Sequence, residues 1–173
     1  AVGNLALTAC TTGQQNTAVG FGALDALTTE SSNTAVGYLS MSTATTGHTS
    51  VAVGHQALFS DTTGANNVAV GGNALYSNTT ADSNVAIGRD CLKLNTTGAS
   101  NTAVGAYALD ANTTTSNLTA VGYNALGANT TGADNVAVGH NTLDANTTGG
   151  YNTSTGTQSL TSNPTGANNT GFG

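Results

Sequence analysis

Positive charge is almost missing: only Arg89 and Lys93 are basic, against eight acidic residues, and charged residues make up 6% of the 173. A nucleic-acid partner is not expected, because counterion release needs several Lys or Arg side chains on the phosphates. Attraction to an anionic membrane surface fails for the same reason. No apolar run approaches the roughly 20 residues of a membrane span, so no membrane insertion is expected, and the first residues carry no leader pattern. Tryptophan is absent and there is one proline, Pro164. Disorder of the usual kind combines high charge or abundant proline with low hydrophobicity. With 38% hydrophobic residues and little charge, this chain is expected to be ordered. Two cysteines, Cys10 and Cys91, are too few for a disulfide framework or a zinc site.

What the chain has in abundance is repetition. Gly3, Gly20, Gly37, Gly54, Gly71, Gly88, Gly105, Gly122, Gly139, Gly156 and Gly173 follow one another at intervals of 17 residues, without insertion or deletion. The consensus is N-T-A-V-G-Y-N-A-L-x-A-N-T-T-G-A-x. It runs through residues 1–173, so a single repeat domain with no linker is expected. The chain starts and stops inside a repeat, which reads as a segment of a longer fibre.

Each column of the repeat has its own tolerance. Four places after the invariant glycine stands Leu or Met, as in Leu24, Met41 and Leu58. Just before the glycine comes a branched residue such as Val19, Val36 or Ile87, preceded by alanine and then by Thr or Val. This T/V-A-V-G alternation predicts a short strand with branched residues on one face and alanine on the other. The N-T-T-G stretch predicts a second strand or a tight turn, its frequent glycines suiting a corner with positive φ. Glu30, Ala81 and Thr115 replace that glycine, whereas the A-V-G glycine is never replaced, which implies a steric demand there.

Helical spacing is not sustained, and helical repeats use longer units. A short period without insertions predicts an all-β fold: a parallel β-solenoid of ten coils, a rod roughly 48 Å long at the inter-strand spacing. About one valine and one leucine per coil, at about 1.5–3 kcal/mol each when buried, make a thin core. Sharing that core among chains is therefore expected, in a homotrimer.

The N-T-A-V-G and N-V-A-V-G cores followed by Y-N-A-L resemble the head repeats of trimeric autotransporter adhesins. They are also similar to N-T-A-V-G-Y-x-A-L-x-x-N-T-T-G repeats of phage tail-fibre and bacterial surface proteins, which often end in a self-cleaving chaperone domain. The best matches are Asn101 to Leu109, and Val121 to Leu126 with the following Asn129-Thr130-Thr131-Gly132. Adhesin heads have a shorter period that lacks the N-T-T-G extension, so the tail-fibre repeats are the nearer likeness. The resemblance implies a left-handed β-roll, trimeric assembly, and a role as shaft or adhesive segment on a cell surface or virion. It brings no catalytic residue and no cofactor.

Tests for site chemistry are mostly negative. His55 and His140 share a column but lie five repeats apart, roughly 24 Å along the rod, too far for one metal. His48 stands in another column, and no metal site is expected. Asp25, Asp110 and Asp144 share a column at non-adjacent repeats; the nearest two, Asp110 and Asp144, are two coils or about 9.6 Å apart, at the far limit of the roughly 5–10 Å between paired catalytic carboxylates. No enzymatic activity is expected. Cys10 and Cys91 are five repeats apart, too far for a disulfide; Cys91 reads as a buried thiol, Cys10 as an exposed one. The sequons at Asn78, Asn95, Asn112, Asn129 and Asn146 arise from the repeat itself, and these asparagines are expected to cap corners and form ladders. Further sequons occur at Asn117, Asn152 and Asn168.

A cell-surface glycan or receptor is the partner to consider besides further copies of the chain. Its candidate contacts are the exposed aromatics Phe21, Tyr38, Phe59, Tyr76, Tyr107, Tyr123 and Tyr151. The alternative reading is ice binding, by a ladder of threonines at about 4.8 Å steps: Thr12, Thr29, Thr46, Thr63, Thr80, Thr97, Thr114, Thr131, Thr148 and Thr165. Because the two threonines of N-T-T-G are adjacent, an inward hydroxyl ladder satisfying its own hydrogen bonds is expected instead.

Overall fold

The computed structural model describes residues 1–173 and contains ten three-residue strands, from β1 (Thr17–Val19) to β10 (Thr170–Phe172). They form one parallel sheet in sequence order. Register is column on column: Thr17 pairs with Thr34, Ala18 with Ala35 and Val19 with Val36, and Val85, Ala86 and Ile87 pair with Thr102, Ala103 and Val104. The chain is thus a parallel β-solenoid of about nine turns, without a helix.

Only one strand forms per coil. The N-T-T-G stretch is a turn, yet its backbone still pairs with the next coil: Thr62 N donates to Thr79 O (2.9 Å) and Thr79 N to Thr96 O (3.0 Å). The arm after the glycine does the same, Leu75 N donating to Cys91 O and Leu92 N to Ala108 O, both at 3.0 Å. Backbone groups round the coil are thus satisfied largely by the neighbouring coil, with others bonded within their own coil, such as Asn78 N to Leu75 O, as buried backbone requires.

Alternation along the strand is as expected, but the inward face is the alanine face. Ala18, Ala35, Ala52, Ala69, Ala86, Ala103, Ala120 and Ala137 are fully buried, while Val19, Ile87, Val136 and Val138 are exposed and the remaining branched residues half-buried or exposed. The expected valine contribution to the core is thus corrected. Opposite the strand, the coil brings in an alanine and a leucine at successive positions, such as Ala74-Leu75 and Ala125-Leu126, all at 0% exposure. Cross-coil bonds from this arm to the strand, Ser40 Oγ to Ala52 O (3.0 Å) and Cys91 Sγ to Ala103 O (3.2 Å), show how close the two walls lie. A cross-section filled by leucine from one wall leaves room only for a methyl from the other.

Three corners per coil are left-handed. The core Leu or Met column has φ between 48° and 54° in all ten copies, for example Leu58 at 50° and Leu92 at 48°. The second residue after the invariant glycine, as in Asn73 (57°) and Asn124 (53°), and the residue before the buried asparagine, as in Asn66 (59°) and Ser83 (61°), do the same. Such a conformation costs a non-glycine residue about 1–2 kcal/mol. In the eight inner copies, Leu24 to Leu143, it is held by complete burial of the side chain.

The A-V-G glycine combines two demands. Gly105 has φ +137°, and a Cβ there would sit less than 3 Å from the backbone of Gly122 in the next coil. The N-T-T-G glycines obey a different rule from the one expected. They do not have positive φ; a Cβ at Gly47 would fall 2.6 Å from the Gly64 carbonyl oxygen.

The corner behind that glycine is polar and buried. Asn67, Asn84, Asn101 and Asn135 donate from Nδ2 to the corner carbonyl of the next coil, at Ala81, Gly98, Thr115 and Gly149, at 2.7–2.9 Å. Their Oδ1 atoms accept the backbone N–H of the residue one period on, as from Asn84 to Asn67 and Asn101 to Asn84, both at 2.9 Å. A second column, Asn78, Asn95, Asn112, Asn129 and Asn146, donates to the corner carbonyl of its own coil. Capping and ladder bonds are thus the role of these sequon asparagines, which are fully buried. Asn152 is also buried, whereas Asn117 and Asn168 are exposed.

Candidate functional site

The residue after each invariant glycine points outward, because the glycine turns the chain away from the strand. In this column Phe21 stacks on Tyr38 (ring centroids 5.5 Å apart, planes at 15°) and Tyr38 on His55 (5.3 Å, 10°). Gly72 follows and interrupts the stack. Arg89 comes next, its guanidinium 4.8 Å from the Tyr107 ring centroid; further along, Tyr123 stacks on His140 (5.4 Å, 15°). Tyr107 meets Tyr123 edge-on at 5.7 Å. A second outward column, after the core leucine, pairs Phe59 with Tyr76 (5.2 Å, 7°).

Five of the seven aromatic candidates thus fall into short stacks, Tyr107 meets one edge-on, and Tyr151 touches no other ring. Phe21, Tyr38, Tyr123 and Tyr151 are exposed; Phe59, Tyr76 and Tyr107 are half-buried, a correction to the expectation that all seven stand free. Tyr151 lies in another column, at a left-handed corner with φ 59°.

Beside Tyr76 lies an open cleft of about 320 Å³ lined by Tyr76 and Lys93 of the second outward column and by Gln56 and Asn73, the second residues after their glycines. Both cations of the chain are at this place. Asp90 binds them, with Lys93 Nζ at 3.3 Å and Arg89 Nε at 3.6 Å, and it accepts from Asn73 Nδ2 at 3.0 Å. Burial opposes the Asp90 charge, but the hydrogen bonds from Asn73 and Lys93 and the charges of Lys93 and Arg89 prevail and hold its carboxyl below the ordinary range. Asp110, one period after Lys93, is shifted the other way, chiefly by burial.

The threonines of the turn are placed otherwise than expected. All ten of the second column, Thr12 to Thr165, are exposed; they do not form an inward ladder. The hydroxyls of the first column cap the next coil, as Thr62 to Thr79 O (2.9 Å) and Thr96 to Thr113 O (2.9 Å). Because the stretch is a turn and not a strand, its neighbouring side chains need not face opposite sides.

His48, His55 and His140 are exposed. Both thiols are free. Cys91 is buried, and burial raises its thiol to about 12. Cys10 is half-buried and takes a corner asparagine's place, its thiol donating to Gly13 O at 3.5 Å.

No family model matches the chain, and neither a curated protein nor a solved structure is significantly similar to it.

Proposed function

We propose that the chain is a shaft or adhesive segment of an extracellular or virion fibre, assembled as a homotrimer of parallel rods. The observation that carries this reading is the outward face of the sheet: a stripe of Thr, Val and Ile, two per coil and ending in Phe172, running the length of the rod with no charge in it. Large apolar stripes on soluble proteins mark contact surfaces. The stripe is three residues wide and ten strands long, roughly 10 Å by 48 Å. At about 500 Å² it falls short of the roughly 800 Å² that each partner gives a standard interface, so columns beside it join the contact, and the contact grows with every coil. The repeat's resemblance to tail-fibre and adhesin-head sequences supports the same reading. Two basic residues also leave few points for trypsin-like cleavage outside a cell. Light scattering at micromolar protein is expected to give three times the chain mass, and Val70→Asp with Ile87→Asp in the stripe to reduce it. A monomeric mass for the unaltered chain overturns the trimer.

The outward threonine column favours a second reading, ice binding. Ten exposed threonines one coil apart form a regular array with little charge beside it. Thermal hysteresis in millimolar solution, lost in Thr97→Lys with Thr131→Lys, is the outcome that places this reading first; freezing without a gap removes it.

A further inference from the structure

Along this rod several aromatic faces are covered by other rings. In a stack parallel to the rod axis, each ring turns its edge to solvent and keeps a free face only where the stack ends. Two stacks end one coil apart, at His55 and at Tyr76. After His55 the column continues with Gly72, where even a Cβ would have nothing within 4 Å; after Tyr76 its column continues with Lys93, which carries no ring. The cleft of Gln56, Asn73, Tyr76 and Lys93 opens at this place.

We infer that this cleft is a carbohydrate site that takes a neutral hexopyranose, with the apolar C–H face of the sugar against Tyr76. The polar groups suit that ligand. Two side-chain amides offer both donors and acceptors to vicinal hydroxyls, and an ammonium adds donors. Asn73 gives its Nδ2 to Asp90 and keeps its Oδ1 for a hydroxyl. Lys93 is held by the same carboxylate at 3.3 Å. Asp90 therefore fixes two of the four lining side chains before any ligand arrives, which lowers the ordering cost of binding. The sugar is neutral because Arg89 and Lys93 are matched by Asp90 and Asp110, leaving no net local charge. A volume near the small end of ligand pockets suits one or two sugar rings, and an open cleft implies millimolar affinity.

The site does not depend on the fibre reading, and its test is separate from the mass measurement. Side-chain amide signals of Gln56 and Asn73 and the Tyr76 ring signals are followed by NMR in the full chain. The probes are methyl β-D-galactopyranoside, methyl β-D-glucopyranoside and the methyl glycoside of N-acetylneuraminic acid, each to about 50 mM, a range that captures millimolar binding. Saturable shifts confined to these residues are expected with at least one neutral glycoside. Tyr76→Leu, which keeps an apolar side chain but no ring, is expected to weaken binding by about tenfold, equivalent to about 1.4 kcal/mol. Unchanged signals from the coils beyond residue 120 establish that the variant is folded. Absence of saturable shifts with every glycoside overturns the site, as does binding that Tyr76→Leu leaves intact. Tighter binding of benzyl alcohol, with the same shifts, replaces the site with a plain apolar patch. Tighter binding of the acidic sugar overturns the neutral assignment.

Discussion

At the corner that closes each coil, the first three coils and the later ones satisfy the same backbone differently. Leu27 and Ala44 fill the corner with apolar side chains, and there the Glu30 and Gly47 carbonyls each accept one asparagine, from Asn16 (2.8 Å) and Asn33 (3.0 Å). From Asn78 onward the corner side chain is asparagine, and most corner carbonyls accept two: Gly98 is bonded by Asn84 and Asn95, both at 2.9 Å. Where Leu118 takes the other asparagine's place, Asn129 serves Gly132 at 3.0 Å. The demand thus belongs to the carbonyl, and either column can meet it. Gly64 is the exception, since Ser50 and Asp61 occupy the two asparagine positions. Asp61 is fully buried, accepting from Gly64 N (2.9 Å) and Asn78 Nδ2 (3.2 Å), with Oδ2 unpartnered. Burial away from water pushes its carboxyl up to about 7, against those two hydrogen bonds.

The largest effect should ignore the boundary between the two regions. Gly37→Ala and Gly105→Ala place a Cβ against the next coil at positive φ in either region, and each is expected to cost at least about 3 kcal/mol in denaturant unfolding. Unequal losses would show that the two regions stack differently. Next comes Asn129→Leu, which removes the asparagine serving Gly132 and is expected to cost about 2–3 kcal/mol.

Asp61→Asn converts the exceptional corner to the common type. The native-state carboxyl lies near 7 and the ordinary value is 3.8, so the folded chain binds more protons between those values. Stability therefore falls as pH rises from about 4 to 7 and is level above that. The asparagine variant should lose this slope and gain about 1–2 kcal/mol at pH 8, with little change at pH 4. A slope that persists in the variant would place the titration elsewhere. Asn95→Leu, at a corner that keeps Asn84, is expected to cost about 1 kcal/mol; a loss equal to that of Asn129→Leu would refute the carbonyl rule.

The period, the parallel stacking, the strand and the need for glycine before each outward turn are legible in the sequence, because a ladder writes the same requirement ten times. The inward face of the strand is not. Alternation defines two faces without naming the buried one, and hydropathy favours valine, whereas the narrow coil admits only alanine. The left-handed leucines also leave no trace, since leucine is a poor choice for that conformation and is held there by burial. Asparagine and aspartate at Asn73, Asn124, Asn66 and Asp134 are the available hint that those corners are left-handed. For the cleft, the sequence places Gly72 after His55 and Lys93 after Tyr76. It does not tell that Tyr76 and Lys93 border the same space as Gln56 and Asn73.

The constant register also governs how the rod is made. Every strand pairing joins residues one period apart, 17 positions along the chain, so the relative contact order is on the order of 0.1, as in helical bundles and below most β proteins. Closing the first pair of coils is the slow event; each later coil then adds by the same short loop closure. Folding is expected to be fast for an all-β chain, and to propagate from whichever pair of coils forms first.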